Sequence, residues 1–263
     1  MKKFLKLFFK PNQIRILINK IQPNFLKTFF AKYYWSKKNF KNSDTNKIEI
    51  YIKNNNNDKI IVDEITHQKK SELIFNEIHQ TSKIINKILE FGCNYGANLK
   101  NFLDKNIVEV VGIDLNNVVK GLENNYSNYK GIVGDEFYLK NFNNGYFDVA
   151  FTCSVLDHFP DEKKVISTIK ELKRISKNLY LFEPYLDHVV GDVSYYSRYE
   201  ISKKYKLNKK FENEHMKFGK NSFFWNYDKY LKDLGLKFKK KEFPLHFSSM
   251  GPYYNVYYVN NSE

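Results

Sequence analysis

The residues most able to do chemistry surround a glycine-rich turn in the run ILEFGCNYGANLKNF at positions 88–102. Glycines let the backbone turn sharply and let a ligand approach the start of a following helix, where free amides attract a carboxylate or phosphate. This turn is therefore predicted to bind a cofactor. Its predicted contacts are Glu90, Gly92, Cys93, Asn94 and Gly96.

Two further acids follow later apolar runs. Asp114 ends the run VEVVGID about twenty residues after the turn, where a carboxylate can bridge the two hydroxyls of a ribose. Asp135 follows Gly134 after the run YKGIV. Both acids should lie at the carboxyl edge of one sheet, which predicts a pocket for a ribosylated adenine. Leu115 and Glu136, the residues next to these acids, complete the expected contacts.

The elements that must position these residues alternate between strands and helices. Predicted strands cover 87–91, 108–114, 129–133, 146–154 and 178–183, and predicted helices cover 66–87, 97–103, 117–125 and the stretch from Pro160 to Ile175. Strands joined by crossover helices imply a doubly wound α/β fold with a parallel sheet. A helix over 222–235 and two strands, 236–243 and 253–259, follow. These two strands should pair antiparallel because no helix separates them.

Composition limits the function classes. The hydrophobic fraction of 42% predicts a globular chain, and the net charge of +14 comes almost entirely from Lys. Excess Lys beside abundant Asn, Ile, Phe and Tyr is also what an A+T-rich coding sequence produces, so the charge favours composition over a nucleic-acid partner and leaves a sugar or anionic metabolite as the expected partner. Cys93 and Cys153 stand in unrelated contexts, which supports neither a disulfide framework nor a metal site.

The first 65 residues are interpreted as a helical N-terminal extension, and residues 66–263 as the main domain. Residues 1–40 alternate Lys with large apolar residues and predict basic amphipathic helices broken near Pro11 and Pro23. Such helices can cap the domain, lie on an anionic membrane surface or form an oligomer contact. The sequence predicts neither a signal peptide nor a membrane span, so a cytoplasmic protein is expected, with peripheral membrane contact as an alternative.

The residues from Lys87 to Pro184 resemble the class I S-adenosylmethionine-dependent methyltransferases. The resemblance is carried by Glu90 with its spaced glycines, by the two later acids, and by the block YFDVAFTCSVLDHFPD at 146–161. It implies S-adenosylmethionine as cofactor, Asp114 on the ribose, Asp135 on the adenine amino group, and a seven-stranded sheet whose last strand is antiparallel. A nicotinamide dehydrogenase fits less well, since its fingerprint is G-x-G-x-x-G and this turn has G-x-x-x-G.

Methyl transfer to a hydroxyl also requires a group that removes the proton of the acceptor. His158, just beyond the fourth predicted strand, is the first candidate, with support of its loop as the alternative role. Glu183 at the end of the fifth strand and His188 in the following insertion are further candidates. Ser154 is expected at the methionine end of the cofactor, and Asp157 at the surface or as a loop cap.

Three hypotheses describe the acceptor. The first is O-methylation of a sugar, nucleotide sugar or glycan precursor, because the chain looks most like methyltransferases of bacterial surface-glycan pathways. The second is methylation of tRNA or rRNA, for which no recognisable RNA-binding module is found. The third is a non-catalytic partner that keeps the fold. The insertion at 184–221 is expected to face the substrate, and the oligomeric state stays open.

Overall fold

The computed structural model describes residues 28–29, 31–33, 36, 47–53, 60–185, 195–197, 223–246 and 253–260. The strands in chain order are β1 (Lys47–Lys53), β2 (Ile60–Thr66), β3 (Lys87–Phe91), β4 (Glu109–Asp114), β5 (Tyr129–Val133), β6 (Phe147–Cys153), β7 (Ser176–Tyr185), β8 (Tyr195–Ser197), β9 (Phe223–Trp225), β10 (Phe238–His246) and β11 (Tyr253–Asn260). The α-helices are α1 (His67–Thr81), α2 (Lys100–Leu103), α3 (Glu162–Ile175) and α4 (Tyr227–Asp233). Short 3-10 turns cover Ala97–Leu99, Asn117–Leu122, Glu136–Asn141 and Leu156–His158.

Seven strands form the main sheet in the order β10, β11, β7, β6, β3, β4, β5. Strands β3 to β7 pair in parallel, whereas β11 is antiparallel to both of its neighbours. This confirms the predicted doubly wound fold with an antiparallel final strand. Strand order reverses between β3 and β6, and in open α/β sheets a ligand crevice forms at such a reversal.

The central strands are apolar on both faces because helices cover both sides of the sheet. Leu89 of β3 belongs to a core cluster that also contains Val165 and Ile169 of α3. Its neighbour Ile88 points to the opposite face and packs in a second cluster with Ile74 of α1. All of these side chains are completely buried, and each contributes about 1.5–3 kcal/mol through removal from water.

Three local predictions need correction. The helical extension is wrong for residues 47–53 and 60–65, because β1 and β2 form an antiparallel hairpin. The alternation in KIEIYIK has the period of a strand, which was the available signal. The helix predicted over 222–235 is shorter, since residues 223–225 form β9, paired with β8, and Asn226 caps α4 by accepting from the Lys229 amide. The predicted helix at 97–103 begins as a 3-10 turn.

No helix in the described ranges combines the length and apolar character that crossing a membrane requires.

Two glycines allow a matched test of close packing. A Cβ on Gly131 in β5 would lie 2.3 Å from the Val119 carbonyl oxygen, a backbone atom that cannot easily move, whereas a Cβ on Gly121 meets nothing within 4 Å. We expect Gly131→Ala to lower the free energy of unfolding by about 1–3 kcal/mol and Gly121→Ala to leave it nearly unchanged. Urea denaturation measures both. Equal midpoints for the two variants would contradict this packing.

Candidate active site

The predicted site residues come together at the carboxyl edge of the parallel strands. Asn94 follows β3 with a φ of 54°, and Ser154 follows the neighbouring β6 with a φ of 55°. Within the described ranges these are the non-glycine residues with left-handed backbone. Such strained positions cluster at functional sites. The strain therefore marks the place where strand order reverses.

The turn after β3 is held by its own hydrogen bonds. The amides of Gly92 and Cys93 donate to the Ile113 carbonyl at 2.7 and 3.2 Å, and the Gly96 amide donates to the Cys93 carbonyl at 2.9 Å. The Asn94 amide donates to Asp114 Oδ2 at 2.8 Å. Each of these four amides therefore already has an acceptor inside the protein.

The glycines of this turn allow side chains of two neighbouring segments to approach its backbone closely. A Cβ on Gly92 would lie 2.3 Å from Val155 Cγ2 in the loop after β6, and a Cβ on Gly96 would lie 2.6 Å from Leu122 Cδ1. Both glycines also have positive φ values, 76° and 79°. Any other residue type at either position would combine a steric clash with an unfavourable backbone conformation.

Glu90 is completely buried beneath the turn. Its Oε1 accepts a hydrogen bond from Asn98 Nδ2 at 2.6 Å, while Oε2 has no partner. Burial raises the pKa of Glu90 to about 7, and the nearby charge of Lys70 opposes that rise. An unpartnered buried carboxyl oxygen is costly, so it marks a position where a donor or cation would be stabilised.

Asp114 lies beside the same turn. Its two oxygens accept from the amides of Asn94 and Asn116, each at 2.8 Å. Burial raises its pKa, and these amides, together with that of Leu115, oppose the rise. Each carboxylate oxygen has a second lone pair, so the side chain can still accept from the hydroxyls of a ligand.

Asp135 and Glu136 are contacted by the N-terminal extension. Lys32 Nζ lies 2.7 Å from Asp135 Oδ2 and 2.8 Å from a Glu136 carboxyl oxygen. Lys164 Nζ of α3 lies 2.7 Å from Glu136 Oε1. The exposed ring of Phe137 lies beside both ammonium groups, 5.0 and 5.1 Å from their nitrogens. The predicted adenine side of the pocket thus includes a residue from the extension.

The loop after β6 carries the first candidate base. The His158 side chain is 24% exposed, and its Nε2 lies 3.8 Å from Asp157 Oδ1. Asp157 itself is 2% exposed, so its predicted surface position is wrong. The Ser154 hydroxyl forms a hydrogen bond with the Tyr254 hydroxyl of β11, and its amide donates to the Phe182 carbonyl. This loop is therefore fixed from both sides.

Glu183 is completely buried in β7. Its Oε1 accepts from Thr152 Oγ1 at 2.7 Å and from the amides of Val155 and Leu156 at 3.3 and 3.4 Å. Burial, followed by the nearby charge of Asp157, raises its pKa to about 8. Its predicted contact with an acceptor stays a prediction, and the remaining candidate, His188, lies outside the described residues.

The thiols of Cys93 and Cys153 are buried. Burial raises the pKa of both, so neither is a reactive thiolate. The Cys93 side chain points into the core beside Tyr129, which leaves only its backbone in the turn. No three His, Cys, Asp or Glu side chains in the described ranges are grouped so that they could hold a metal ion.

Three site residues were not predicted from the sequence: Lys32, Asn98 and Thr152. Of these, Asn98 was the easiest to predict from the sequence, because it lies eight residues after Glu90 and just beyond the turn. Lys32 is separated from Asp135 by 103 residues, and no pattern in the sequence links them.

The family comparison agrees with this geometry. Residues 89–178 match the family model described as a methyltransferase domain. A search of curated proteins gives no match.

Three solved structures share the fold, and two of them are methyltransferases. The 1,6-didemethyltoxoflavin N1-methyltransferase of Burkholderia thailandensis is 12% identical with a TM-score of 0.55, covering 74% of this chain and 80% of its own. The magnesium protoporphyrin IX methyltransferase of Synechocystis PCC 6803 is 15% identical with a TM-score of 0.50, covering 74% and 84%. A Pyrococcus horikoshii OT3 protein is 18% identical with a TM-score of 0.53, covering 74% and 90%. The resemblance to class I S-adenosylmethionine-dependent methyltransferases is confirmed.

The buried acids predict how stability depends on pH. Folding raises the pKa of Glu90 and Glu183 above the ordinary value of 4.5, so the folded state binds more protons than the unfolded state. The contribution of each acid to stability is therefore lost as pH rises from about 5 to 8. We expect Glu90→Gln and Glu183→Gln each to reduce this loss in urea denaturation, and Glu242→Gln, at an exposed position of β10, to change nothing. If the free energy of unfolding changed with pH in the same way in all variants, the predicted contribution of the two acids would be wrong.

Proposed function

We propose that this protein transfers a methyl group from S-adenosylmethionine to a small-molecule acceptor. The observation that carries the proposal is an acidic carboxyl edge in a chain of net charge +14. Glu90 and Asp114 lie there with raised pKa values, next to a turn in which the amides of Gly92, Cys93, Asn94 and Gly96 already donate inside the protein. The site thus favours a cationic ligand over the phosphates of a dinucleotide.

The residues present fit S-adenosylmethionine. This cofactor supplies a methyl group on a positively charged sulfur and also carries an ammonium group. The unpartnered oxygen of Glu90 suits a cationic donor, and the remaining lone pairs of Asp114 suit the ribose hydroxyls. Asp135 and the neighbouring Glu136 would hold the adenine end, with Leu115 beside the ribose and Ser154 toward the methionine end.

The comparisons support this cofactor. The matched region covers the turn, Asp114, Asp135 and the loop after β6. The Burkholderia and Synechocystis enzymes were both solved with bound S-adenosylhomocysteine, the product of methyl donation.

We further propose a hydroxyl acceptor, on a sugar, nucleotide sugar or glycan precursor. The sugar class rests on the resemblance of the sequence to surface-glycan methyltransferases. His158 supports a hydroxyl, because a partly exposed imidazole beside the carboxyl of Asp157 can accept the proton that an attacking hydroxyl must lose. The protein's main contribution to the rate would be to align acceptor and donor, and the loop after β6 is rigid enough for that.

The extension at residues 1–65 is proposed to cap the adenine end of the site. Its described residues Thr28 and Ala31 are buried, and Lys32 binds Asp135 and Glu136 directly. These contacts favour the cap over a membrane anchor, since Lys32 is paired with acids of the domain.

Cofactor binding tests the first half of the proposal. Calorimetry should show S-adenosylmethionine binding that strengthens as pH rises through about 7, because a cation favours ionised Glu90. Glu90→Gln should weaken binding by roughly tenfold near pH 8 and remove this pH dependence. Glu242→Gln should bind as the unmodified protein does. Absence of binding by the folded protein would overturn the proposal in favour of a non-catalytic role.

Methyl transfer tests the second half. The protein is incubated with methyl-labelled S-adenosylmethionine and, in separate arms, with nucleotide sugars, aromatic amines and total tRNA. Label is expected in a nucleotide sugar, and His158→Ala should reduce transfer by roughly 100-fold or more at unchanged cofactor affinity. Label only in the amine or the tRNA would reject the hydroxyl acceptor.

The cap predicts a measurable effect of Lys32. Lys32→Met keeps the apolar stem but removes the ion pairs with Asp135 and Glu136. We expect amide hydrogen exchange of residues 28–36 to rise roughly fivefold, corresponding to about 1 kcal/mol for a partly exposed pair. Lys130→Met, at an exposed position of β5, serves as control. Unchanged exchange in the Lys32 variant would exclude the cap.

A further inference from the structure

We propose that Glu183 and Asp157 form a buried carboxyl pair that positions the loop carrying His158, so that Glu183 is a positioning residue without contact to the acceptor. The proposal rests on the methyl-transfer function above, since it assigns His158 to that reaction. It gives a role to a completely buried acid of the carboxyl edge.

The geometry places Glu183 where three strands meet the loop. On one side, its Oε1 accepts from the Thr152 hydroxyl of β6 and from two successive amides of the loop, those of Val155 and Leu156. On the other side, it stands opposite Asn255 of β11 in the strand register. One carboxyl group therefore fixes the backbone just before His158.

The same contacts reach the cofactor turn. Val155, whose amide Glu183 holds, packs directly against Gly92. The Leu156 carbonyl accepts from Trp225 Nε1 at 2.9 Å, which secures the next residue of the loop. Displacement of the Glu183 carboxyl would thus shift both the candidate base and the contact between the two loops.

Several buried polar atoms around the pair have no hydrogen-bond partner. They are Glu183 Oε2, Asp157 Oδ1, Tyr227 Oη and Asn255 Nδ2. Tyr227 Oη and Asn255 Nδ2 can donate, whereas an ionised carboxyl oxygen only accepts. A proton on Glu183 Oε2 adds a donor and lowers the repulsion that the nearby Asp157 exerts on a buried Glu183 carboxylate. Glu183 is therefore suited to hold a proton at neutral pH.

The groups facing Glu183 determine when that proton is lost. They are Asp157 from the loop and Tyr227 from α4, while β11 contributes the uncharged Asn255. Burial, followed by the nearby charge of Asp157, raises the pKa of Glu183 to about 8, and the hydrogen bonds from Thr152, Val155 and Leu156 oppose the rise. Above that pH, two like charges face each other in the core and the loop loses its fixed position.

Glutamine and alanine at position 183 separate positioning from direct catalysis. Glu183→Gln retains an acceptor for Thr152 and the loop amides and supplies N–H donors in place of the proton. It should keep kcat within about twofold of the value for the unmodified protein at pH 7. The fall in kcat that we expect for the unmodified protein above about pH 8 should be absent in this variant. Glu183→Ala should lower kcat by roughly 10- to 100-fold through loss of alignment. Glu242→Gln is the control for both.

A third variant keeps the test valid if the alanine variant does not fold. Thr152→Val removes the hydroxyl that stabilises ionised Glu183 with little change of volume, so the alkaline decline should move to higher pH. If Glu183→Gln is folded, binds S-adenosylmethionine normally and is as inactive as Glu183→Ala, Glu183 takes part directly and the proposal is overturned. An alkaline decline that is unchanged in all three variants also overturns it. Failure of the unmodified protein to bind cofactor or transfer label would instead refute the proposed function.

Discussion

The site depends on the close passage of two loops at the centre of the sheet. Strands β3 and β6 are neighbours, and strand order reverses between them. The chain therefore leaves the two strands in opposite directions along the sheet, and the turn after β3 meets the loop after β6 at the same edge. Gly92 and Val155 touch there at a distance that leaves no room for a Cβ on the glycine. Because packed cores do not deform easily, this contact sets the position of both loops, and with them the predicted cofactor and acceptor sides of the crevice.

Burial of acids is the second property of this edge. Glu90 and Glu183 are both completely enclosed, each with one satisfied and one unpartnered oxygen. A domain of net positive charge tolerates this arrangement only where a cation or a bound proton compensates for lost hydration. The two acids differ in what surrounds them. Glu90 lies near the acid Asp114 and the glycine-rich turn, whereas Glu183 lies near Asp157 and the phenol of Tyr227. The same residue type is therefore assigned to cofactor binding in one case and to positioning in the other.

Much of the fold was predictable because its signals are local. Apolar runs and helical periodicity indicated the order of strands and helices, and the absence of a helix between the last two strands predicted their antiparallel pairing. The turn, Asp114 and Asp135 could be placed at one edge because each directly follows or ends a strand. The helical assignment of the extension was wrong for residues 47–53, because helices argued for residues 1–40 were extended to residue 65 although KIEIYIK alternates with the period of a strand.

The sequence by itself determined the fold class, the glycine-rich turn after β3 and the acids at the strand ends, since local composition and spacing indicate where a strand stops. Only the tertiary structure decided which side chains these residues meet. The burial of Asp157, the register that sets Glu183 opposite Asn255, and the contact of Lys32 with Asp135 all join distant parts of the chain. Such contacts depend on packing across the sheet, and no local pattern encodes them.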